Sequence, residues 1–589
     1  MNAVQSLHVE PSLTRPTPRG HQSEAVVAVA DGFAQSDRGQ LIMACGTGKT
    51  YTSLWIKERQ RARLTLVLVP SLGLIPKFRA DWARAASNPF EQLCVCSDDT
   101  VGRAPEGAAG DELTFTAEEL ASLNCPVTSD SEEIRQFLAL PGDRVIFSTY
   151  HSSPLIAQAQ ADGLAPAFDL VIADEAHRTT GRADSDFATV LDDAKIRATK
   201  RLFATATPRI YSSRNGDEEI VSMDNSRLYG EVFYRLSFGE AIRRGLLTDY
   251  RVVIIGVDNP MVQAWIDAER TIQAESGRQR TAAEIAAQIG VIKAIQDYDL
   301  RRVISFHSRV DRAAEFADEL VREWGAHAGG SSAQALRAEH ISGAMPADQR
   351  ESSLGRLRNL ALNERRLVSN VRCLSEGIDV PDLDGVVFAD PRSGATDIVQ
   401  TVGRAIRLSD QKELGTIVLP VFLGAGDTVD EAINASRFKP VVDVLRALKS
   451  HDDELAAQLS QMRIAMGRGD GGDGEVPKVV VDLPERMSTE LRAQFDDAIR
   501  THLIERATDS WEAVFGALLW YGEAFGHVNV PQRYVTPYGV RLGMWCSGQR
   551  QDYKAGCMPP ERQARFEALP GWTWSVLDAQ LETNFDALM

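Results

Sequence analysis

The chain has 589 residues, of which 44% are hydrophobic and 25% charged, and a formal net charge of −18 at pH 7. This length exceeds what a single core supports, and at about 150 residues per domain it predicts three or four domains. The chain lacks apolar runs of the roughly 20 residues that a membrane span needs, it begins with a polar stretch, and its seven cysteines are irregularly spaced; we therefore expect a cytoplasmic protein with reduced thiols and no membrane partner.

The first element with recognisable chemistry is a predicted strand, loop and helix around Lys49. An apolar stretch, Leu41 to Ala44, runs into Cys45-Gly46-Thr47-Gly48-Lys49-Thr50. The glycines let successive backbone N–H groups curl around an anion, Lys49 can reach the β- and γ-phosphates of a nucleotide, and the Thr50 hydroxyl can hold Mg²⁺. Met43 stands where the general P-loop pattern has its first glycine, so an ordinary turn stays open for this loop taken alone.

A helix is predicted just upstream, over Ser23 to Phe33, and Gln22 lies at its start. The Gln22 amide offers both a donor and an acceptor, which suits the edge of an adenine ring. A solvated glutamine at a helix start is the alternative for this residue by itself.

The next predicted strands are apolar runs that end in polar residues, as expected for strands buried on both faces of a parallel sheet. They are Leu64 to Ser71, Leu93 to Ser97, Val145 to His151, Phe168 to His177 and Arg201 to Pro208. Open α/β sheets bind ligands at the carboxyl ends of their strands, where Asp174 and Glu175 are delivered. Asp174 can hold Mg²⁺ through water and Glu175 can polarise an attacking water. As an isolated string, Asp-Glu-Ala-His is equally typical of a surface.

A second series of strands alternates with helices and predicts a second parallel sheet, with a ligand cleft between the two units. These strands are Tyr250 to Val257, Arg302 to Phe306, Arg366 to Ser369, Gly385 to Phe388 and Thr416 to Pro420. Arg404 and Arg407 share one face of a helix and can stabilise charge on a γ-phosphate across the cleft. The alternative is a basic pair that faces solvent.

The C-terminal part differs in composition. A glycine-rich linker is predicted over residues 466–482, and the chain beyond it has a helical pattern dense in aromatic residues. Arg533, Arg541, Arg550 and Lys554 are interleaved with these aromatics, which suits phosphate contact and base stacking. The alternative is that most of the aromatics form the core of a small domain.

Taken in order, these motifs resemble those of superfamily 2 helicases, in the branch of restriction-enzyme motor subunits with a DEAH motif. The matching residues are Gln22, the Lys49 loop, Pro70-Ser71-Leu72, Asp174-Glu175-Ala176-His177, Thr205-Ala206-Thr207, Ser305 to Ser308, Glu376-Gly377-Ile378-Asp379 and Gln400 to Arg407. The last part, with Gly526 to Pro531 and Gly571-Trp572-Thr573-Trp574, is similar to the helicase-associated domain. The resemblance implies two RecA-like parallel-sheet motor domains in tandem, at 14–240 and 241–465, then the linker and a small all-α nucleic-acid-binding domain at 483–577.

The resemblance also implies the site residues. Catalytic roles fall to Lys49, Asp174, Glu175, His177, Arg404 and Arg407, and Thr50 and Asp174 are the expected Mg²⁺ ligands. Contacts to ATP are expected from Gln22, Gly46, Thr47, Gly48, Lys49, Thr50, Gly377, Asp379 and Gln400. Contacts to the nucleic-acid strand are expected from Ser71, Thr149, His151, His307 and Ser308 in the motor.

The expected function is that of an ATP-dependent helicase or translocase on DNA, with RNA as a possible substrate. The acidic net charge does not exclude this, since a groove needs only local positive potential. An ATP-gated recognition component of a larger assembly, such as a phage-defence system, is the alternative without strand separation. Nuclease and methyltransferase motifs are not visible in the sequence, so any cutting is expected from a protein partner.

Overall fold

The structure is a computed structural model that describes residues 7–9, 14–96, 125–182, 185–210, 220–258, 260–264, 281–327, 335–361, 363–371, 380–389, 394–423, 438–468, 477–508, 510–537 and 539–575. Its strands β1 to β18 span Leu7–Val9, Arg38–Met43, Leu64–Val69, Phe90–Val95, Val127–Thr128, Arg144–Thr149, Leu170–Asp174, Gly181–Arg182, Arg201–Thr205, Ile220–Val221, Glu231–Leu236, Asp249–Asp258, Arg302–Phe306, Ala335–His340, Glu364–Asn370, Gly385–Phe388, Leu414–Leu423 and Val479–Asp482. Its helices α1 to α17 span Gly20–Gly32, Lys49–Gln60, Ile75–Ala85, Ser131–Ala139, Ser153–Gln160, Ser226–Tyr229, Phe238–Arg243, Ala282–Asp297, Val310–His327, Ala347–Arg358, Ala395–Ala405, Lys439–Lys449, Asp453–Arg468, Thr489–Ala507, Ser510–Phe525, Leu542–Lys554 and Pro560–Glu567.

The first sheet has the strand order β1-β4-β6-β3-β7-β9-β2-β11, with β5 beside β4. All of its pairings are parallel except that of β1 with β4. Every residue of β2, β3 and β9 is buried, which explains why β3 is almost entirely apolar and why β2 and β9 are mostly apolar after their first residues. The strands β7, β9 and β2 are neighbours, so their carboxyl ends lie side by side.

The second sheet has the order β14-β15-β13-β16-β17-β12-β18, and all its pairings are parallel. The strands β13 and β16 begin and end at the residues predicted from the sequence. Together the two sheets and the helical C-terminal part confirm the predicted fold class. Among the described residues, none of the helices is both long and apolar enough to traverse a bilayer.

The prediction of a flexible linker over 466–482 is wrong at both ends. Helix α13 continues to Arg468, and Val479 to Asp482 form β18, which extends the second sheet along β12. The side chain of Lys478, just before β18, is buried and donates to the Asp452 carboxylate over 3.1 Å, and the Tyr250 hydroxyl donates to the same carboxylate over 2.8 Å. This buried pairing holds the end of the segment against the sheet despite its glycine-rich start.

The predicted start of the C-terminal unit at residue 483 is also too early. Helix α14 buries Phe495, Ile499 and Leu503 in the core shared by the two sheets and the helices α12 and α13. The Arg463 guanidinium of α13 forms an ion pair with Glu505 over 2.9 Å. The helix therefore packs with the two-sheet part of the chain, and the separate C-terminal core begins with α15.

That core is a small aromatic cluster of α15, α16 and α17. It contains Trp511, Phe515, Leu518, Tyr521 and Phe566, with Trp545, Trp572 and Trp574 packed around them. The alternative interpretation, that most of the C-terminal aromatics form the core of a small domain, is therefore confirmed.

The helices α13 and α15 cross at two glycines, and this contact joins the aromatic cluster to the motor. A Cβ added at Gly516 would overlap the Ile464 carbonyl, and one added at Gly467 would overlap the Ala513 carbonyl. Only residues without a side chain allow the two backbones to approach so closely.

We predict that Gly516→Ala lowers the free energy of unfolding by about 1–3 kcal/mol, because the added methyl forces the helices apart. The measurement is urea denaturation followed by tryptophan fluorescence. Gly548→Ala on α16 is the matched control, since a Cβ there meets no atom within 4 Å among the described residues; it should leave stability unchanged or raise it by about 0.5–1 kcal/mol. Equal stabilities of the two variants would contradict the tight crossing.

Candidate nucleotide site between the two sheets

The loop before α2 has the backbone of an anion-binding turn. Gly46 and Gly48 have φ values of 84° and 87°, a left-handed conformation that glycine adopts without strain. The buried Thr47 hydroxyl donates to the Ala44 carbonyl over 2.7 Å and closes the turn. Lys49 and Thr50 follow as the first residues of α2, so the helix N-terminus adds its positive dipole end to the loop.

The start of α1 lies against this loop. The His21 ring nitrogen Nε2 is 2.9 Å from the Thr47 carbonyl oxygen. The Gln22 amide accepts from the Arg19 backbone N–H over 2.9 Å, and its Nε2 is 3.4 Å from the Thr47 and Gly48 carbonyl oxygens. Both ends of the amide are thus engaged within the protein, and the predicted adenine contact stays a prediction.

Lys49 and the carboxylates of β7 form the charged centre of the site. The Lys49 ammonium lies 4.0 Å from Glu175 Oε1 and donates to the Met43 carbonyl over 3.3 Å. Burial opposes the charge on Lys49, but Glu175 and Asp174 outweigh it and raise the pKa of the ammonium above its ordinary value. Burial likewise opposes the charge on Glu175, but Lys49 and His177 lower the pKa of its carboxyl. Both groups are therefore charged at neutral pH.

A hydrogen-bond network orients the carboxylates. Glu175 has a left-handed backbone with φ 48°, unusual for a residue with a side chain, and this turns the chain sharply after β7. The buried His177 ring Nδ1 lies 3.0 Å from Thr205 Oγ1 and 3.2 Å from Thr207 Oγ1. The hydroxyl of Thr205 in turn is 3.4 Å from Glu175 Oε2. His177 thus connects the end of β7 to the end of β9.

Helix α11 of the second sheet rests on the loop of the first. A Cβ added at Gly403 would lie 2.6 Å from Cys45 Cβ, and one added at Gly46 would lie 3.3 Å from Arg407 Cγ. Burial raises the pKa of the Cys45 thiol, while Lys49, Arg404 and Arg407 oppose the shift, so these cations share one electrostatic environment. The structure therefore brings the predicted arginine pair to the predicted phosphate loop.

Three further residues are predicted to contact ATP, and these contacts stay predictions. Gln400 is only 6% exposed within α11. Gly377 and Asp379 lie outside the described residues.

Two of the residues that are predicted to contact nucleic acid are buried in the structure, and their predicted roles stay predictions. Thr149 is 3% exposed, and its hydroxyl lies 3.1 Å from Ser152 Oγ. His307 is 4% exposed, its ring Nε2 lies 3.0 Å from Ser305 Oγ, and its ring packs against Phe316. A position at the end of a strand does not make a side chain accessible when a helix covers it.

The other predicted motor contacts are more accessible. Ser71 and Ser308 are half-buried and His151 is exposed, with its ring edge against Phe187 at 4.6 Å. These three keep their predicted roles as proposals.

The C-terminal cations divide into two groups. Arg533, Arg541 and Lys554 are exposed. Arg550 is not available in the same way, because its Nε donates to the Thr573 carbonyl over 2.9 Å and its guanidinium stacks on Trp572 at 4.3 Å. Arg550 holds the end of the domain onto α16, and its predicted contact with nucleic acid stays a prediction.

Two residues of the site were missed by sequence reasoning. The Tyr150 side chain is fully buried, and its hydroxyl donates to the Asp174 carbonyl over 2.6 Å, which steadies the end of β7. His21 braces the phosphate loop as described above. The sequence position of each residue pointed to the site: Tyr150 follows an apolar strand, and His21 directly precedes Gln22.

Three family models match the chain in order. They describe the Type III restriction enzyme res subunit over residues 15–210, the helicase conserved C-terminal domain over 289–409 and the helicase associated domain over 508–575. The last match begins near α15, in agreement with the packing of α14 on the motor.

Among solved structures, the chain is similar to the ATP-dependent Type ISP restriction-modification enzyme LlaBIII bound to DNA, at 27% identity and a TM-score of 0.72, over 92% of this chain and 38% of that one. It is also similar to a nuclease-deletion mutant of the Type ISP enzyme LlaGI in complex with a DNA substrate mimic, at 26% identity and a TM-score of 0.57, over 86% and 34%. A probable helicase, A859L of African swine fever virus, is 26% identical over 74% of this chain and 44% of its own length. The chain thus spans less than half the length of these relatives.

The burial of His307 generates a pH prediction. Burial lowers the pKa of His307 from 6.5 to about 3, so the unfolded chain binds the extra proton first, and stability falls as the pH falls below 6.5. His307→Gln should remove up to about 2 kcal/mol of the stability loss between neutral pH and pH 5, as measured by urea denaturation at both values. Burial also lowers the pKa of His451, to about 4, and this residue titrates in both the wild type and the His307→Gln variant. Weaker nucleic-acid binding by this variant, together with an unchanged pH dependence of its stability, would contradict a structural role of His307.

Proposed function

Because the chain is superfamily 2 helicase-like, with two motor regions and a helicase-associated domain, we propose that it is a nucleic-acid-dependent ATPase that hydrolyses Mg²⁺·ATP to move on or unwind DNA. The observation that carries this proposal is the meeting of Lys49, Glu175 and Arg407 where α11 rests on the phosphate loop. We assign residues 14–240 and 241–465 to the two motor domains, extend the second to α14, and assign α15 to α17 to the helicase-associated domain.

The residues at the loop fit a nucleotide with its metal ion. A Cβ at Gly48 would overlap the Gln22 amide, so the close approach of Gln22 to this left-handed turn requires a glycine there. Lys49 is charged, and the Thr50 hydroxyl and Asp174 carboxylate are oxygen ligands of the kind that Mg²⁺ prefers. Bound ATP supplies the phosphoanhydride bond, and Mg²⁺ neutralises its phosphates.

The protein side chains have separable roles in hydrolysis. Glu175, kept ionised by Lys49 and oriented by the His177 network, polarises the attacking water. Arg404 and Arg407, delivered by the other sheet, stabilise charge on the γ-phosphate as it leaves. Because these groups come from two sheets, hydrolysis depends on the distance between the sheets. A change in that distance alters the affinity for a bound nucleic-acid strand.

DNA is the favoured substrate. Both structural relatives were solved with DNA or a DNA substrate mimic. The motor's Ser71, His151 and Ser308 are the proposed strand contacts on its surface.

The helicase-associated domain offers a second, locally cationic surface. Although the chain has a net charge of −18, it contains no acidic residue between Glu523 and Asp552. Within this stretch Arg533 and Arg541 are exposed, as are the apolar side chains of Phe525 (51%) and Met544 (59%). Arginines beside exposed apolar groups suit phosphate contact and base stacking.

An ATP-gated recognition component without strand separation is the second candidate, supported by the similarity to restriction-modification enzymes. In that case we propose that a protein partner supplies the nuclease activity. A strand-displacement assay with the purified chain separates the two, since only the motor displaces a strand. Comparing duplex DNA, single-stranded DNA and RNA as activators of ATPase activity tests the substrate; stimulation by RNA alone would refute the choice of DNA.

We predict that Glu175→Gln binds ATP with near wild-type affinity but loses at least about 100-fold in kcat, since the amide cannot polarise water. Lys49→Ala, the paired variant, should lose nucleotide affinity and turnover together. The measurements are fluorescent-nucleotide binding and DNA-stimulated phosphate release. Near-normal turnover by Lys49→Ala would refute the proposed site.

We predict that Arg533→Ala/Arg541→Ala weakens single-stranded DNA binding and lowers the slope of log K against log salt by about 1–2, because two phosphate contacts are lost. Fluorescence anisotropy over a salt series measures both, and ATPase activity without nucleic acid should persist. Arg486→Ala/Arg492→Ala removes two exposed arginines near α14 and is the control. Equal salt slopes for both double variants would remove this surface from the proposal.

A further inference from the structure

Lys412 lies in the turn between α11 and β17, where it gathers three backbone carbonyls. Its ammonium donates to the carbonyl oxygens of Ala405 and Leu383 over 2.7 Å each, and to that of Pro381 over 2.9 Å. Ala405 is the last residue of α11 and directly follows Arg404. A cation at this place satisfies a carbonyl that the helix leaves without an intrahelical partner and faces the negative end of the helix dipole.

The other two carbonyls belong to a segment that is itself fixed to the centre of the second sheet. The carboxylate of Asp384 accepts from the backbone N–H groups of Arg301 and Arg302 over 2.9 Å each, at the start of β13. The Thr416 N–H donates to the Asp384 carbonyl over 2.8 Å. Through Lys412 the end of α11 is therefore tied to a rigid part of the sheet.

The environment of Lys412 is that of a fixed internal cation. Burial lowers the pKa of its ammonium to about 8, although Asp384 and Asp382 oppose the shift and Arg407 adds to it. Burial raises the pKa of the Asp384 carboxyl to about 6. At neutral pH both groups are charged, and the ammonium keeps its three donors for three carbonyls.

The Ala405 carbonyl also lies in close contact with the backbone of Gly415. A Cβ added at Gly415 in β17 would lie 2.7 Å from the Ala405 carbonyl oxygen. The position of the helix end therefore depends both on the lysine that binds this oxygen and on the absence of a side chain at Gly415.

We propose that Lys412 is a positioning residue that fixes the C-terminal end of α11 and thereby aims Arg404 and Arg407 at the phosphate site. The inference rests on the proposed ATPase function and extends it by a residue outside the helicase motifs. The end of α11 has little room to move. Arg407 Cγ would lie 3.3 Å from a Cβ at Gly46. Thr248 also donates to the Ile406 carbonyl over 2.9 Å and to the Arg407 carbonyl over 3.1 Å. A displacement of about 1 Å at such a site costs up to about 100-fold in rate.

The test compares the full-length chain with Lys412→Met, which keeps the aliphatic stem and removes the donors. Hydrogen exchange should be faster at the amides of Ile406 and Arg407, and kcat for DNA-stimulated ATP hydrolysis should fall about 10- to 100-fold with KM for ATP within about twofold. Lys293→Met, which breaks the ion pairs of α8 with Asp297 in the same helix and Asp482 in β18, is the control and should change neither quantity.

Gly415→Ala is the second variant, which displaces the Ala405 carbonyl while leaving Lys412 in place. It should reproduce the loss of kcat at unchanged KM, so the test survives if Lys412→Met folds poorly. Unchanged exchange at Ile406 and Arg407 in Lys412→Met, or faster exchange with wild-type kcat, would overturn the inference. A wild-type chain without ATPase activity would instead refute the proposed function, and exchange would still decide whether Lys412 fixes the helix end.

Discussion

The close approach of α11 to the phosphate loop is the contact on which the rest of the site depends. Gly403 meets Cys45 there, and a side chain at this glycine would separate the sheets. The approach gathers three cations, Lys49, Arg404 and Arg407, against the carboxylates of Asp174 and Glu175. Arg178 also acts on Glu175, so in a buried space, where charges interact more strongly than in water, the site carries a surplus of positive charge within a strongly acidic chain. The surplus is a physical reason for the site to attract a polyanion.

Much of the motor could be predicted from the sequence because its strands are buried on both faces. Such strands are mostly apolar, and the bounds of β13 and β16 could be predicted from this composition. The phosphate loop was also legible, since Gly46 and Gly48 mark the left-handed turns that the backbone requires. The order of the motifs led to the superfamily 2 resemblance that the family matches confirm.

The rest depended on contacts between distant parts of the chain, which local patterns do not encode. His307 and Thr149 follow the rule that strand ends carry function, but helix packing buries them. Arg550 has the sequence context of Arg541, and only the three-dimensional position of Trp572 shows that its charge is used inside the domain. Lys412 lies outside the motifs, so the three carbonyls that it binds were invisible before the fold was known.

Helix α13 joins the second sheet to the C-terminal aromatic cluster. It begins beside the buried Asp452, which Tyr250 and Lys478 hold against the second sheet, and it ends at the glycine crossing with α15. Its 16 residues span about 24 Å at about 1.5 Å per residue. The length of this one helix therefore sets how far the C-terminal cluster stands from the buried Asp452.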